Sequence, residues 1–332
     1  MISYALSVED LADTHFALSP IHETVLSLRV LRDPGRYALL LPWRRSVVDR
    51  LGALDVDLLL SLVGDRRALP DYLTPRPSVF APTFEDELTL VRATAPQIVR
   101  RDLLAISQAG ASPSLPLRLR AAAHDSDDAA VEELHSSICD TLAAYWQVAV
   151  EPVWPRLRLL LEADMTYRAR RLATGGARSL FADMHPNVHW QEGVLTIDKM
   201  IGHWHAAAAG RGLLLMPSIF AHQPAPPVNA DEPPMLSYPC RGVATLWSGP
   251  PPISAGALAS LLGETRVRLL SLLDEPMPTV ELARRLQVTP SAVSQHLRVL
   301  YATGVVTRAR DGRLVHYRRS PLGDELYRGP RH

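Results

Sequence analysis

Thr289-Pro290-Ser291-Ala292-Val293-Ser294-Gln295-His296-Leu297-Arg298-Val299-Leu300 reads as a helix with its start signal attached. Thr289 can cap the first free amides, Pro290 sits where a missing N–H costs nothing, and Ser291 tolerates the first turn. Val293, Leu297 and Leu300 then recur at spacings of four and three, which predicts one apolar face. The opposite face carries Ser291, Ser294, Gln295 and Arg298, with Ala292 and His296 at its margins. Gly304 predicts the stop, as a residue that accepts the left-handed conformation.

Working outward, Val280, Leu282, Ala283 and Leu286 predict a shorter preceding helix whose apolar stripe packs against that face. Downstream, Val305 to Arg310 and Arg313 to Arg319 flank Asp311-Gly312, a dipeptide suited to a two-residue hairpin turn. Arg308, Arg310 and Arg313 gather around the expected tip. Helix, turn, helix and basic ribbon in this order predict a winged helix-turn-helix over residues 255–332. In such a module a helix in the major groove reads base edges while the ribbon grips flanking phosphates. Thr289 is a candidate DNA contact at the helix start, Gln295 could bind adenine bidentately and Arg298 could bind guanine or a phosphate. Alone, the ribbon reads equally well as a solvated hairpin with scattered arginines; the helix pair before it favours double-stranded DNA.

Gly263-Glu264-Thr265-Arg266-Val267-Arg268-Leu269-Leu270, Thr279-Val280-Glu281-Leu282-Ala283, Pro290 to Leu297, and Asp311-Gly312-Arg313 with Tyr317 together resemble the ArsR-type winged helix-turn-helix regulators. The resemblance covers roughly residues 254 to 328. In layout the whole chain is similar to large actinobacterial members that carry an amino-terminal domain of their own. The resemblance implies a dimeric transcription factor, usually a repressor released by a ligand. It places recognition positions on Ser291, Ser294, Gln295 and His296, and wing positions on Arg308, Arg310 and Arg313. Metal-sensing members carry a Cys-x-Cys pair where this chain has Pro278 and Val280, neither able to ligate a metal. The terminal helix expected from Pro321 to Arg328 has no spaced His or Cys, and its adjacent Asp324 and Glu325 would diverge. The metal-sensor reading therefore fails, and no cofactor is expected.

The chain of 332 residues is too long for this module alone. Its charge is zero overall but unevenly spread. Residues 251–332 hold 12 Arg and no Lys against 7 acids, a net of +5, so residues 1–250 carry −5. That asymmetry suits a basic nucleic-acid module joined to an acidic partner domain. Cys139 and Cys240 are read as buried free thiols, since Cys139 falls on an amphipathic helical pattern. No targeting segment or apolar run of eighteen residues is present, so a cytoplasmic protein without a membrane span is expected.

Residues 1–248 are expected to form a mixed α/β sensor or assembly domain, followed by a proline-rich linker at 249–254, for an α+β chain overall. Strands are expected near residues 2–8, 16–18, 56–63, 188–191, 194–197, 213–220 and 235–247. Helices are expected from Pro20 to Arg32, over 45–52, from Thr83 past a kink at Pro96 to Ile106, over 127–150 and over 155–173. Pro70 to Pro82 reads as an extended connector, and Gly175-Gly176 as a helix break. His185, His189, His203 and His205 are numerous for so short a stretch, but Pro186 forbids a regular helix linking the first two. They are weighed as structural or surface histidines against a metal site. All six tryptophans precede residue 250; they read chiefly as core, with a pocket using two or three as the alternative sensor site for a small-molecule effector.

No phosphate loop, dinucleotide fingerprint or nucleophile–base pair is visible, and Asp127-Asp128 and Glu132-Glu133 read as helix-surface acids. The expectation is a non-enzymatic, ligand-responsive repressor that binds a palindromic operator as a homodimer. The alternative is an enzyme carrying the winged helix as a targeting or autoregulatory appendage.

Overall fold

The computed structural model describes residues 1–52, 54–64, 69–108, 128–200, 202–227, 230–247, 255–311 and 314–328. It divides into two compact units, Met1–Trp247 and Ser248–His332. The linker expected at 249–254 lies outside the described residues.

The N-terminal unit is mixed. Its strands are β1 (Ile2–Ala5), β2 (His15–Phe16), β3 (Val188–Gln191), β4 (Val194–Ile197), β5 (Trp204–Ala207), β6 (Leu214–Ser218) and β7 (Met235–Pro239). One sheet runs β3-β4-β1-β5, and a second, all parallel, runs β2-β6-β7. The first residues of the chain sit inside the first sheet. β1 pairs antiparallel with β4, Tyr4 opposite Leu195, and parallel with β5, Ile2 opposite Trp204. The hairpin across Glu192-Gly193 forms as the sequence predicts, with both residues at positive φ.

Ser19 opens the helix Pro20–Arg32 by accepting from the His22 amide, and Asp33 ends it. Thr83 and Asp86 form a reciprocal capping box at the start of Phe84–Arg92. The kink expected at Pro96 is a full break between two helices, because Pro96 opens a second helix, Pro96–Gln108. The apolar run after Asp55 is helix Val56–Ser61 and not a strand. Asp55 caps it through the Leu58 amide at 3.2 Å, and Leu58, Leu59 and Leu62 bury one face. The expected helix at 45–52 lies earlier, at Leu41–Val48. The connector after Pro70 contains a buried turn, with the Tyr72 amide donating to Asp102 at 2.9 Å. Asp128–Tyr145 passes through a wider turn at Trp146–Val150, and the helical stretch Trp154–Phe181 that follows is broken at Gly176, whose backbone is non-helical at φ +65°, as the glycine pair predicts. The last expected strand stops at Pro239; Val243–Leu246 is a helical turn.

Two apolar cores result. A helical one surrounds Trp43, Tyr145 and Leu157, and a sheet-backed one surrounds Tyr4, Leu195, Phe181 and Tyr238. Charge is buried among them. Arg168, with no exposed side-chain surface, meets Asp183 at 2.5 Å and Asp164 at 3.7 Å, while Asp164 also accepts from the Tyr238 hydroxyl at 2.9 Å. Glu23 accepts from the Ile219 amide and Glu87 from the Ile21 amide, both at 2.9 Å. Burial pushes each of these carboxyls up to about 7. His22 holds Ser237 at 2.8 Å, and burial pushes its imidazole down to about 3.

The C-terminal unit contains helices Ala255–Leu262, Glu264–Leu272, Thr279–Leu286, Pro290–Ala302 and Pro321–Arg328. A small antiparallel sheet accompanies them, ordered β8 (Met277–Pro278), β10 (Leu314–Arg319), β9 (Val306–Asp311). The fold is a helix-turn-helix with a wing. Its core joins Leu269, Leu270, Leu282, Leu286, Val293, Leu297 and Leu300.

Candidate nucleic-acid interface

The longest helix of the C-terminal unit is positioned from both ends. Thr289 is its N-cap, and its hydroxyl accepts from the Ala292 amide at 3.3 Å while also bonding the Ser291 hydroxyl at 3.0 Å. Thr289 is thereby committed to starting the helix. Gly304, at φ +72°, reverses the chain at the other end, and the Val305 amide returns to the Leu300 carbonyl at 2.9 Å. Val293, Leu297 and Leu300 are buried as the spacing predicts. Ser291, Ser294, Gln295 and Arg298 are exposed on the opposite face, and His296 is half-buried at its margin.

The turn before this helix depends on a residue that sequence reading missed. Gln287 adopts the left-handed conformation, φ +57°, and the Val288 amide closes back on the Ala283 carbonyl at 3.1 Å. Glycine adopts this conformation without steric cost, but glutamine occupies it here, so no glycine marks the turn in the sequence. One residue of the expected stripe is corrected as well. Val280 is 62% exposed, because it lies roughly a third of a turn off the face made by Leu282, Ala283 and Leu286.

The wing is built on β9 and β10, with Val306 anchored in the core. Arg308 and Arg310 follow on the same side of β9 at the two-residue period and are exposed. The register pairs Asp311 with Leu314, so Asp311 belongs to the strand and not to the turn as the sequence suggested. Gly312 and Arg313 lie outside the described residues. The Arg308 guanidinium sits 4.4 Å from the centre of the Tyr301 ring, at the end of the helix that carries Gln295 and Arg298.

Other arginines of this unit are occupied differently. Glu281 accepts from Arg284 at 2.8 and 2.9 Å and from Arg285 at 2.8 Å; these hydrogen bonds hold its carboxyl down, to about 2. Arg319 is buried, donates to the Leu270 carbonyl and to Asp274, and meets Asp324 at 2.7 Å. It ties the terminal helix to the rest of the fold. Gly323 lets that helix approach closely, since a Cβ there would stand 2.1 Å from the Val305 carbonyl oxygen. The positive charge of this unit is thus partly structural; exposed Arg298 lies on the polar helix face, Arg308 beside the helix end, and Arg310 is exposed further along the wing strand.

The histidines of the N-terminal unit are not brought together. His189 is on β3 and His205 on β5, opposite edges of the four-stranded sheet, three inter-strand steps or roughly 14 Å apart. His189 pairs with Asp198 at 3.1 Å, His205 with the Ser3 hydroxyl at 2.9 Å, and His185 accepts from the Asn187 amide at 3.0 Å; His203 is exposed. Among the described residues no group of three or more His, Cys, Asp or Glu is arranged to hold a metal. Tryptophans build packing contacts. Trp43 is fully buried and donates to the Ala149 carbonyl at 2.9 Å, and Trp146 stacks on Phe84 at 4.6 Å. A cleft of about 340 Å³ in this unit is lined instead by Leu31, Arg44, Val48, Leu51, Val56 and Leu60, among others, with no tryptophan. Cys139 and Cys240 are buried free thiols, and burial pushes the Cys139 thiol up to about 11. No helix among the described residues is long and apolar enough to cross a membrane.

Comparison with known proteins agrees with this geometry. Residues 261–309 match the helix-turn-helix domain family. A protein of Halobacterium salinarum, provisionally named arsenical resistance operon repressor ArsR, is 36% identical over 84 residues, which is 24% of this chain. The match spans 65% of that relative's length. No solved structure matches. The C-terminal quarter therefore carries a helix-turn-helix domain and is similar over that stretch to the Halobacterium repressor.

Proposed function

We propose that this protein is a sequence-specific transcriptional regulator, a ligand-responsive repressor that binds a palindromic operator as a homodimer. The observation that carries the reading is the exposed row Ser291, Ser294, Gln295 and Arg298, on a helix whose other face is buried and beside whose C-terminal end lies Arg308 of the wing. Short hydroxyls, an amide and a guanidinium at helical spacing suit base edges in the major groove, and wing arginines suit phosphates. Repression comes from the likeness to the Halobacterium repressor, and dimerisation from the resemblance to the ArsR-type regulators; two copies would read half-sites about one helical turn apart. The effector would be a small molecule held by the N-terminal unit, for which the 340 Å³ cleft has a suitable size. It acts by preferring one of the DNA-bound and DNA-free states. The reading takes the chain to be cytoplasmic and not an enzyme.

Genomic DNA fragments captured by the purified full-length protein, sequenced across a salt range, test this. The expected result is enrichment of a short palindromic motif that disappears with Gln295→Ala/Arg298→Ala. Salt-sensitive capture without a motif would overturn sequence-specific regulation and favour a basic module serving another activity of the N-terminal unit.

A further inference from the structure

The recognition helix and the wing meet at one side-chain contact that the sequence patterns did not single out. Tyr301 lies seven residues after Ser294 and three after Arg298, so it extends the exposed row by one more turn on its wing-side flank. It is 43% exposed, which is unusual for a large ring at the end of a helix that buries Val293, Leu297 and Leu300 behind it. Its ring centre lies 4.4 Å from the Arg308 guanidinium carbon. An aromatic face attracts a cation through its quadrupole and leaves guanidinium N–H groups for other acceptors.

We propose that Tyr301 is a positioning residue for DNA binding: it holds Arg308 in register with the recognition row, so that the wing meets the phosphate backbone pre-ordered. The inference rests on the DNA-binding reading above. A long arginine on an exposed strand samples many rotamers, and fixing it before contact lowers the entropy lost on binding. Arg308 still makes its phosphate contact without Tyr301, but from a disordered start. Affinity then falls while the number of phosphates neutralised stays the same.

Two measurements on the full-length chain test this. In the absence of DNA, the Arg308 Nε–H proton resonance is shifted by the Tyr301 ring current; the shift persists in Tyr301→Phe and vanishes in Tyr301→Leu. With a fluorescein-labelled 30-base-pair duplex as probe, Tyr301→Leu weakens binding about 2- to 5-fold at fixed salt. The slope of log affinity against log salt is unchanged, and Tyr301→Phe restores wild-type affinity. Arg308→Ala lowers that slope by about 0.9, and adding Tyr301→Leu to it has no further effect. A Tyr301→Leu loss of the same size with and without Arg308 would overturn the proposal, as would wild-type affinity in Tyr301→Leu. If the ring-current shift is present but the wild-type chain binds no duplex, the contact stands as structure, and both the DNA reading and the positioning role fall.

Discussion

The two units of this chain contrast in how far apart in sequence their decisive contacts lie. In the C-terminal unit the core pairs neighbours: Leu282 and Leu286 against Val293 and Leu297, across one turn. In the N-terminal unit, Ile2 pairs with Ile197 and Trp204, and Glu23 holds the amide of Ile219. The C-terminal unit buries mostly apolar side chains, with Arg319 and Ser320 as buried polar exceptions, and keeps the polar face of its recognition helix exposed. The N-terminal unit buries Arg168 beside Asp164, and it buries Asp164, Glu23 and Glu87 against Tyr238, Ile219 and Ile21 from distant segments. Chemistry carried on a local, repeating pattern can be read along the chain, whereas chemistry made by long-range closure cannot.

All six tryptophans precede residue 250, so intrinsic tryptophan fluorescence follows the N-terminal unit alone, which lets variants break or sharpen this contrast. The largest effect is expected for Arg168→Met, which strips Asp164 and Asp183 of a buried partner. It should lower stability by about 3–5 kcal/mol in urea unfolding followed by tryptophan emission. A shift under 1 kcal/mol would mean the buried charges are dispensable. Next comes Leu297→Ala, at about 2–5 kcal/mol in the C-terminal unit. Duplex binding should be lost while the tryptophan transition stays put; a transition that moves as well would show that the two units unfold together.

The pH dependence sharpens the contrast further. For Glu23 and Glu87 the folded value, about 7, lies above the ordinary 4.5. Each therefore contributes stability that is fully present below about pH 4.5 and is lost as pH rises through 7. His22 opposes them, since its folded value of about 3 lies below 6.5; its contribution is present above pH 6.5 and is lost as pH falls. Between pH 4.5 and 7, wild-type stability should fall relative to Glu23→Gln, by at most about 1.4 kcal/mol per pH unit. A constant difference across that range would show the carboxyl titrating normally. The smallest effect is Gln287→Gly. Removing a side chain from a left-handed turn should stabilise the C-terminal unit by up to about 1 kcal/mol, measured by circular dichroism.

The legible parts of the sequence share a physical reason. Thr289-Pro290, Ser19-Pro20 and Thr83 write their helix starts locally, and Glu192-Gly193 writes its hairpin locally, so each element formed as expected. The run from Val56 misled because a short buried helix and a buried strand share composition; the deciding signal was the cap Asp55. The wing pairing differs by two residues from a turn at Asp311-Gly312, with Arg310 opposite Val315 and not Arg313, because that dipeptide suits a turn locally whereas the pairing of Asp311 with Leu314 is set by the whole ribbon. The recognition row was readable from periodicity, but Tyr301 was not, since an aromatic at a helix end carries no sign of the strand that will cross it. The histidines looked clustered only along the chain; strand order placed His189 and His205 at opposite edges of a sheet.

The central claim is that Gln295 and Arg298 read sequence. It is tested most directly by titrating the full-length protein against the palindrome recovered by capture and against a shuffled duplex of equal length, at one fixed salt concentration. The account predicts an affinity ratio of about a thousand or more, collapsing toward one in Gln295→Ala/Arg298→Ala while affinity for the shuffled duplex changes little. A ratio near one for the wild-type chain, or an unchanged ratio in the double variant, would contradict it.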